Sequence, residues 1–262
     1  MPLARTLVET FRASDEPVTV LRFDGTQRRG ESFVDADCTA SGDEALHFTF
    51  SQAAADVNAA ARFLMSDSRY NVDNVGLVTF SLAALEGRIA IVAQDTPGYS
   101  AWVAAVGMTD VQSALKSVSG GIDYVVGKEA GVSFGVHELG GVRIDIDRAA
   151  EDVLTSDAAT LEEAKRDVAR ISCPLIWIHG RDDGWTDICR VQEMLSVRGG
   201  GERKILEVPT GHQLRNSTEA LDTFQLIAHE ISGPLTGRSL PPALPELVDL
   251  DSRSREERER VR

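Results

Sequence analysis

Cysteine is scarce in this 262-residue chain, which has three of them at widely separated positions: Cys38, Cys173 and Cys189. An odd number at this spacing matches no disulfide framework and no zinc motif. We therefore expect a reducing, cytoplasmic environment, and the sequence predicts neither a metal ion nor another cofactor.

Long apolar runs and an excess of basic residues are also lacking. No run approaches the length of a membrane-spanning helix, and the first residues lack the apolar core of a signal peptide. Lys and Arg number 27 against 41 Asp and Glu, a net charge of −14. Since this charge repels phosphate groups, we expect binding neither to nucleic acid nor to an anionic membrane.

One stretch of the chain combines a short apolar strand with a helix. Val75–Phe80 is apolar and β-rich, and residues 82–92 place apolar side chains at helical spacing. Ser81 lies between them, with the small residues Thr79 and Ala83 two positions away on either side. This is a degenerate Gly-x-Ser-x-Gly turn, which exposes a nucleophilic serine at the end of a strand. A serine that only caps the helix remains the alternative.

Strands and helices alternate along the rest of the chain. This alternation predicts a mostly parallel α/β sheet flanked by helices, with polar groups gathered at the carboxyl ends of the strands. The predicted strands, besides the one before Ser81, are Val18–Phe23, Ala101–Val106, Cys173–His179 and Arg203–Val208. The predicted helices, besides the one after Ser81, are Leu3–Arg12, Phe50–Met65 with Ser51 as its cap, Ala159–Arg170, 188–197 and Thr218–Ile231.

The glycine-rich region in the middle of the chain interrupts this alternation. We interpret residues 118–157 as a cap inserted over the sheet, between an N-terminal core part at 1–117 and a C-terminal core part at 158–232. The remainder, 233–262, is predicted to be a solvated tail.

Three polar groups follow three of the predicted strands: Ser81, the pair Asp182 and Asp183, and His212. A serine hydroxyl needs a base, and histidine suits this role because its pKa lies near neutrality. The histidine needs a carboxylate that fixes its tautomer and stabilises the imidazolium. The order Ser, Asp, His is the one found in α/β-hydrolases.

Several blocks of the sequence resemble the acyl transferase family of bacterial luminescence operons. Members of this family are fatty-acyl thioesterases of α/β-hydrolase fold. The resemblance runs from near residue 3 to the tail, and the order and spacing of the blocks carry it. The blocks are 75–83 around Ser81, Ala105-Val-Gly107, Ile122-Asp-Tyr124, Val136-His-Glu-Leu-Gly140, Pro174 through Trp185, and Thr210-Gly-His-Gln-Leu214.

The resemblance implies that Ser81 is the nucleophile, that His212 is the base and that the N–H of Leu82 is one donor of the oxyanion hole. Counting Gly-x-x-Asp from Gly180 places the acid at Asp183, and aligning Trp185 gives the same residue.

Two other aspartates are alternative acids. Asp182 is the reserve within the same loop. Asp110 follows the next strand, where some thioesterases of antibiotic assembly lines carry their acid, although an N-cap role for the following helix also fits.

The chain departs from the family at its start. The family has two or three strands before the first helix, and one of them would separate Val18–Phe23 from Val75–Phe80. The loop after that strand supplies the second oxyanion donor, which has no visible source here. We expect a second copy or a small partner chain to fill this position, or the two strands to come into direct contact.

The predicted function is that of a serine acyl-thioester hydrolase or acyltransferase, with an acyl carrier protein or coenzyme A thioester as substrate and an acyl-serine as intermediate. The cap would hold the acyl chain. The alternatives are a thioesterase-like cyclase or off-loading enzyme of a polyketide pathway, and a non-catalytic subunit that needs a partner chain.

Overall fold

The structure, a computed structural model, describes residues 2–243 except 29, 31, 41, 71, 140, 215 and 216. Helices and strands alternate in it, as the sequence predicts. The helices are α1 (Pro2–Arg12), α2 (Phe50–Ser66), α3 (Ala83–Val92), α4 (Val111–Val118), α5 (Tyr124–Glu129), α6 (Ile146–Thr155), α7 (Leu161–Arg170), α8 (Ile188–Leu195) and α9 (Ser217–Thr236). The strands are β1 (Gly76–Phe80), β2 (Ala101–Ala105), β3 (Val136–Leu139), β4 (Val142–Asp145), β5 (Leu175–Gly180) and β6 (Arg203–Val208).

Four parallel strands form the central sheet in the order β1-β2-β5-β6. Their register places Phe80 beside Ala105, Ala105 beside Ile178, and Gly180 beside Val208. The carboxyl ends of all four strands therefore lie at one edge of the sheet, where the loops after β1, β5 and β6 meet.

Helices cover both faces of this sheet, as parallel strands require. On one face, Leu7 of α1 packs with Ile227 and Ile231 of α9 against the strand residues Val103 and Ile178. The side chain of Thr10 also accepts a hydrogen bond from the N–H of Ala243, at 3.0 Å. Helix α1 is thus held by α9 and by the residues that follow α9.

The other face of the sheet is filled by two tryptophans. Trp102 and Trp177 meet edge to face with their ring centroids 6.4 Å apart. Ala84 of α3, Val168 of α7 and Met194 of α8 are buried in the same cluster. This packing fixes the helix that follows Ser81 against the centre of the sheet.

The predicted strand Val18–Phe23 is wrong. Residues 16–25 form neither helix nor strand, and β1 is an edge of the sheet. A strand needs a neighbour for its backbone hydrogen bonds, and no strand of the described residues lies on that side of β1. The predicted direct pairing of the two segments is not formed within the described residues, and both segments line a cavity of about 950 Å³.

This cavity, which we call the β1 groove, exposes one edge of the strand backbone. Ser81 N–H and Val75 C=O both bond toward β2. Since successive residues of a strand point their backbone groups to opposite sides, Gly76, Val78 and Phe80 direct theirs into the groove. The walls are apolar side chains of α1, α9 and residues 16–23, with Leu214 at the end of the groove near His212.

The region predicted as a cap, 118–157, contains α5, the antiparallel hairpin β3–β4 and α6. Tyr124 and Val125 of α5 and Ile146 of α6 are buried in a cluster with Met108, and Leu82 packs against it. Residues of this region and Leu82, which follows Ser81, therefore belong to the same core cluster.

Most boundaries agree with the predicted ones to within two residues, but the cap of α2 and the end of α9 differ. Thr49, not Ser51, caps α2, because its side chain accepts the N–H of Gln52. Helix α9 continues to Thr236, past its predicted end at Ile231 and into the range predicted as a tail. Of that tail, residues 244–262 lie outside the described part of the chain. No helix in the described ranges is both long and apolar enough to cross a membrane.

The end of β5 leaves no room for a side chain at Gly180. A Cβ there would lie 2.6 Å from the carbonyl oxygen of Thr210, in the loop that carries His212. We expect Gly180→Ala to lower the free energy of unfolding by about 1–3 kcal/mol, as overpacking does, measured by urea denaturation. Gly184→Ala is the matched control, since a Cβ at that position would meet no atom within 4 Å beyond its chain neighbours. Equal stability of the two variants would contradict this packing constraint.

Candidate active site

Ser81 lies on a strained turn between β1 and α3. Its φ of 52° is in the left-handed region, which costs a residue other than glycine on the order of 1–3 kcal/mol. The turn is held on both sides: the Ser81 N–H donates to Ala105 C=O, and its C=O accepts from Met108 N–H, each at 3.2 Å. The backbone is therefore fixed by β2 and its loop, while the hydroxyl is directed away from the sheet.

The small residues around this turn let the helix lie close to the strand. Thr79 accepts a 2.9 Å hydrogen bond from Trp102 Nε1. Its methyl group would come within 2.9 Å of a Cβ at Gly87 in α3. A large side chain at position 79 or 87 would push α3 away from β1 and would change the direction of the Ser81 hydroxyl.

His212 contacts the serine. Its Nε2 lies 2.6 Å from Ser81 Oγ, and its Nδ1 lies 2.9 Å from Asp183 Oδ2. The His212 side chain is 6 % exposed and the Asp183 side chain is fully buried. The structure thus brings together the three residues that the sequence places after three different strands.

Asp183 is held as a carboxylate. Burial opposes its ionisation, but hydrogen bonds from His212 and from the backbone N–H of Trp185 outweigh burial and lower its pKa below the ordinary value. Its other oxygen, Oδ1, accepts the N–H groups of Trp185 and Thr186 at 2.8 and 3.1 Å. With one oxygen occupied by the loop, the second is left to bond Nδ1–H of His212.

The ring of Trp185 covers the histidine. The two ring centroids are 4.5 Å apart with an angle of 31° between the planes. The acid loop therefore limits the orientation of His212 both by a hydrogen bond and by a stacked ring.

The two alternative acids lie elsewhere. Asp182 is exposed, and its N–H donates to the carbonyl of Thr210. The buried carboxylate of Asp110 caps α4 by accepting Ser113 N–H at 2.8 Å, and it pairs with Arg190 at 2.8 Å. The contacts of Asp110 are those of a structural cap, the alternative that the sequence left open.

Leu82 occupies the N-cap position of α3. The first N–H groups of a helix have no acceptor within it and lie at the positive end of its dipole. Leu82 N–H adjoins Ser81, which suits the developing oxyanion of an acyl-transfer reaction.

A second histidine near the site was given no role by the sequence. His179, at the end of β5, is 3 % exposed, and its buried Nδ1 has no hydrogen-bond partner within the described part of the chain. Burial lowers its pKa, with Asp183 as the largest opposing charge. His179 lies at the end of a strand, and Ser81 and His212 each follow the end of a strand. This position is the feature of the sequence that indicates a place near the site.

A serine on a strained strand-to-helix turn, followed in the chain by a buried aspartate and a histidine bonded to both, defines the α/β-hydrolase class. Solved structures show the same fold. The ferulic-acid complex of Est1E from Butyrivibrio proteoclasticus is similar with a TM-score of 0.65 and 12 % identity, covering 90 % of this chain and 84 % of that one.

Two further solved structures are similar at lower scores. The esterase domain of a Rhodothermus marinus protein has a TM-score of 0.53 and 18 % identity over 88 % of this chain and 80 % of that one. One of the metagenome-derived lipolytic enzymes LipS and LipT has a TM-score of 0.52 and 17 % identity over 87 % and 88 %. No curated protein matches the chain.

The chain belongs to the acyl transferase family, whose model matches residues 13–226. The resemblance to this family and the α/β-hydrolase fold predicted from the sequence are both confirmed. The match extends from the end of α1 into α9 and includes every residue of the site.

The contacts of the two acids predict different effects of replacing them. We expect Asp183→Asn to fold normally and to slow labelling of the serine by a fluorophosphonate by roughly three to four orders of magnitude, because the imidazole loses its orienting acceptor. We expect Asp110→Ala to lower the free energy of unfolding by about 1–3 kcal/mol, because a buried cap and an ion-pair partner are lost.

Labelling kinetics and urea denaturation of both variants test this assignment. Loss of labelling in a stably folded Asp110→Ala variant, with normal labelling of Asp183→Asn, would assign the acid to Asp110.

Proposed function

We propose that the protein is a serine acyltransferase or hydrolase that acts on acyl thioesters through Ser81, His212 and Asp183. The 2.6 Å contact between Ser81 Oγ and His212 Nε2 is the observation that supports this function most directly. At this distance the imidazole can accept the hydroxyl proton as the serine attacks a carbonyl carbon.

In the proposed reaction His212 takes the Ser81 proton while Asp183 stabilises the imidazolium. The tetrahedral intermediate places its negative oxygen near the N–H of Leu82. Collapse of the intermediate expels the thiol, which receives the proton from His212, and leaves an acyl-serine. Water or another nucleophile, deprotonated by the same histidine, then releases the acyl group.

The proposed substrate is an acyl group carried by an acyl carrier protein or by coenzyme A. The family supports acyl transfer, and the Val, Ile, Tyr and Phe residues of the cap region suit an apolar acyl chain better than a polar one. A cyclase or off-loading enzyme would form the same acyl-serine but release it by an internal nucleophile of the substrate. A non-catalytic subunit is disfavoured by the short contacts between the three side chains.

Acylation of the serine tests this function. Mixed with a long-chain acyl coenzyme A, the protein should gain the mass of one acyl group on the peptide that contains Ser81. We expect Ser81→Ala to abolish the adduct and His212→Ala to slow its formation by several orders of magnitude, as followed by rapid-quench mass spectrometry.

Ser66→Ala, which changes an exposed serine at the end of α2, is the matched control and should acylate normally. An adduct that persists in Ser81→Ala would remove Ser81 from the mechanism. Hydrolysis of the adduct by water alone would favour the hydrolase over the cyclase.

We also propose that an extended strand from a second polypeptide occupies the β1 groove. The groove combines apolar walls with the backbone groups of Gly76, Val78 and Phe80. An acyl chain could pack against the apolar walls but could not bond to these backbone groups. A strand could do both, because its own N–H and C=O groups would pair with those of β1. A strand parallel to β1 would end beside Ser81, where its next N–H could act as the second oxyanion donor.

A proline at position 78 tests this partner proposal. Val78→Pro removes an N–H that points into the groove and leaves the bonds to β2 intact, so an edge strand tolerates it. If a second copy fills the groove, light scattering should give a dimer for the native protein and for the control Val78→Ala, and a monomer for Val78→Pro.

A small separate chain would instead appear as an additional, stoichiometric mass. A monomer that turns over acyl thioesters at rates ordinary for enzymes, with a kcat on the order of 1–10³ s⁻¹, would contradict the need for a partner strand.

A further inference from the structure

Three side chains with metal-binding atoms meet in the segment before α2. Asp37 and Cys38 lie in a 3₁₀ turn, Ala36–Cys38, and His47 lies three residues before α2. One ligand atom from each of these three residues falls within 4.8 Å of the other two. The cluster, which we call the 37/38/47 cluster, is separate from Ser81, His212 and Asp183 in the chain and uses none of their atoms.

The imidazole of His47 is oriented toward this cluster by a fourth residue. Its Nδ1 lies 2.7 Å from Asp35 Oδ2, and a proton on this nitrogen is donated to that carboxylate. In the tautomer with its proton on Nδ1, the other nitrogen, Nε2, has the lone pair available to a metal, and it lies 3.7 Å from Asp37 Oδ2. Histidines that bind metals are typically held in this way, with the distal N–H bonded to a carboxylate.

The side-chain atoms of the cluster lie somewhat farther apart than the ligands of one bound ion, within the reach of small side-chain rotations. Zinc lies about 2.3 Å from sulfur and about 2.0–2.2 Å from nitrogen or oxygen, which puts S···O at about 3.6 Å and N···O at about 3.4 Å. Cys38 Sγ lies 3.7 Å from Asp37 Oδ1. His47 Nε2 lies 3.7 Å from the other oxygen, Asp37 Oδ2. Each neighbour thus faces a different oxygen of Asp37, and a shared ion would be held by both oxygens or by one of them after a small rotation of the carboxylate.

The donor set is suited to one kind of ion. A thiolate together with an imidazole and a carboxylate favours zinc over calcium or magnesium, which prefer oxygen ligands. Cys38 is fully buried while the Asp37 side chain is 71 % exposed, so a fourth position can open toward solvent on the side of Asp37.

We propose that Asp37, Cys38 and His47 bind a zinc ion, with Asp35 as the residue that positions His47. This differs from the prediction made from the spacing of the cysteines, which indicated no metal. The ion would link the 3₁₀ turn to the residues that precede α2.

A bound zinc ion would also stabilise α3, the helix that follows Ser81. Phe48, next to His47, lies under the guanidinium of Arg28, whose carbon is 4.2 Å from the ring centroid. Arg28 pairs with Glu86 in the first turn of α3. Binding of zinc would thus stabilise a segment that is linked to α3 by one side chain.

Metal binding by the purified full chain tests the proposal without any reading of enzymatic activity. Prepared without a histidine tag, the protein should bind one equivalent of Co²⁺ and develop thiolate-to-cobalt charge-transfer absorption, which one equivalent of Zn²⁺ should remove. We expect Cys38→Ser to lose the charge-transfer band, while Cys189→Ser, which changes an exposed cysteine, should retain it.

Two further variants test metal binding without changing the buried Cys38, whose replacement could unfold the protein. Asp37→Ala changes an exposed side chain and should abolish tight binding of Zn²⁺ in a folded protein. Asp35→Asn should weaken binding by about 10–100-fold, as expected for a positioning residue. Absence of the band in the native protein, or an unchanged band in Cys38→Ser, would overturn the proposal.

Discussion

The left-handed backbone at Ser81 is the constraint on which the site depends. It is maintained by hydrogen bonds to Ala105 and Met108, both supplied by the neighbouring strand and its loop. It also requires α3 to approach β1 closely, which the small residues at 79 and 87 allow. The strain is local, but the contacts that support it belong to the central sheet and to the tryptophan-filled face beneath it.

Much of the site could be predicted from the sequence because each of its residues follows a strand. Ser81, Asp183 and His212 follow β1, β5 and β6 within four residues. Parallel strands bring their carboxyl ends together at one edge of a sheet. The choice of Asp183 over Asp182 also rested on local spacing. The stacking of Trp185 on His212 was not predicted, since it depends on how two loops approach each other in space.

The one wrong strand has a different origin. Val18–Phe23 has the composition of a strand, but β structure requires a partner, and the partner is a property of the whole sheet. The cluster for which we propose a zinc ion, Asp37, Cys38 and His47, depends on a tight turn and a reversal of the chain that no periodic pattern indicates. Spacing rules identify zinc sites only when the ligands come in recognised pairs, and here a single cysteine is combined with an aspartate and a histidine.

The contact between α1 and α9 has a consequence for the synthesis of the chain on the ribosome. About 200 residues separate the end of α1 from the start of α9, and translation of that length takes roughly 10–40 s at about 5–20 residues per second. Throughout this time the apolar face of α1, including Leu7, has no α9 to cover it. The nascent chain therefore leaves this face of α1 uncovered until α9 has been synthesised, and the contact between the two helices is among the last of the fold to form.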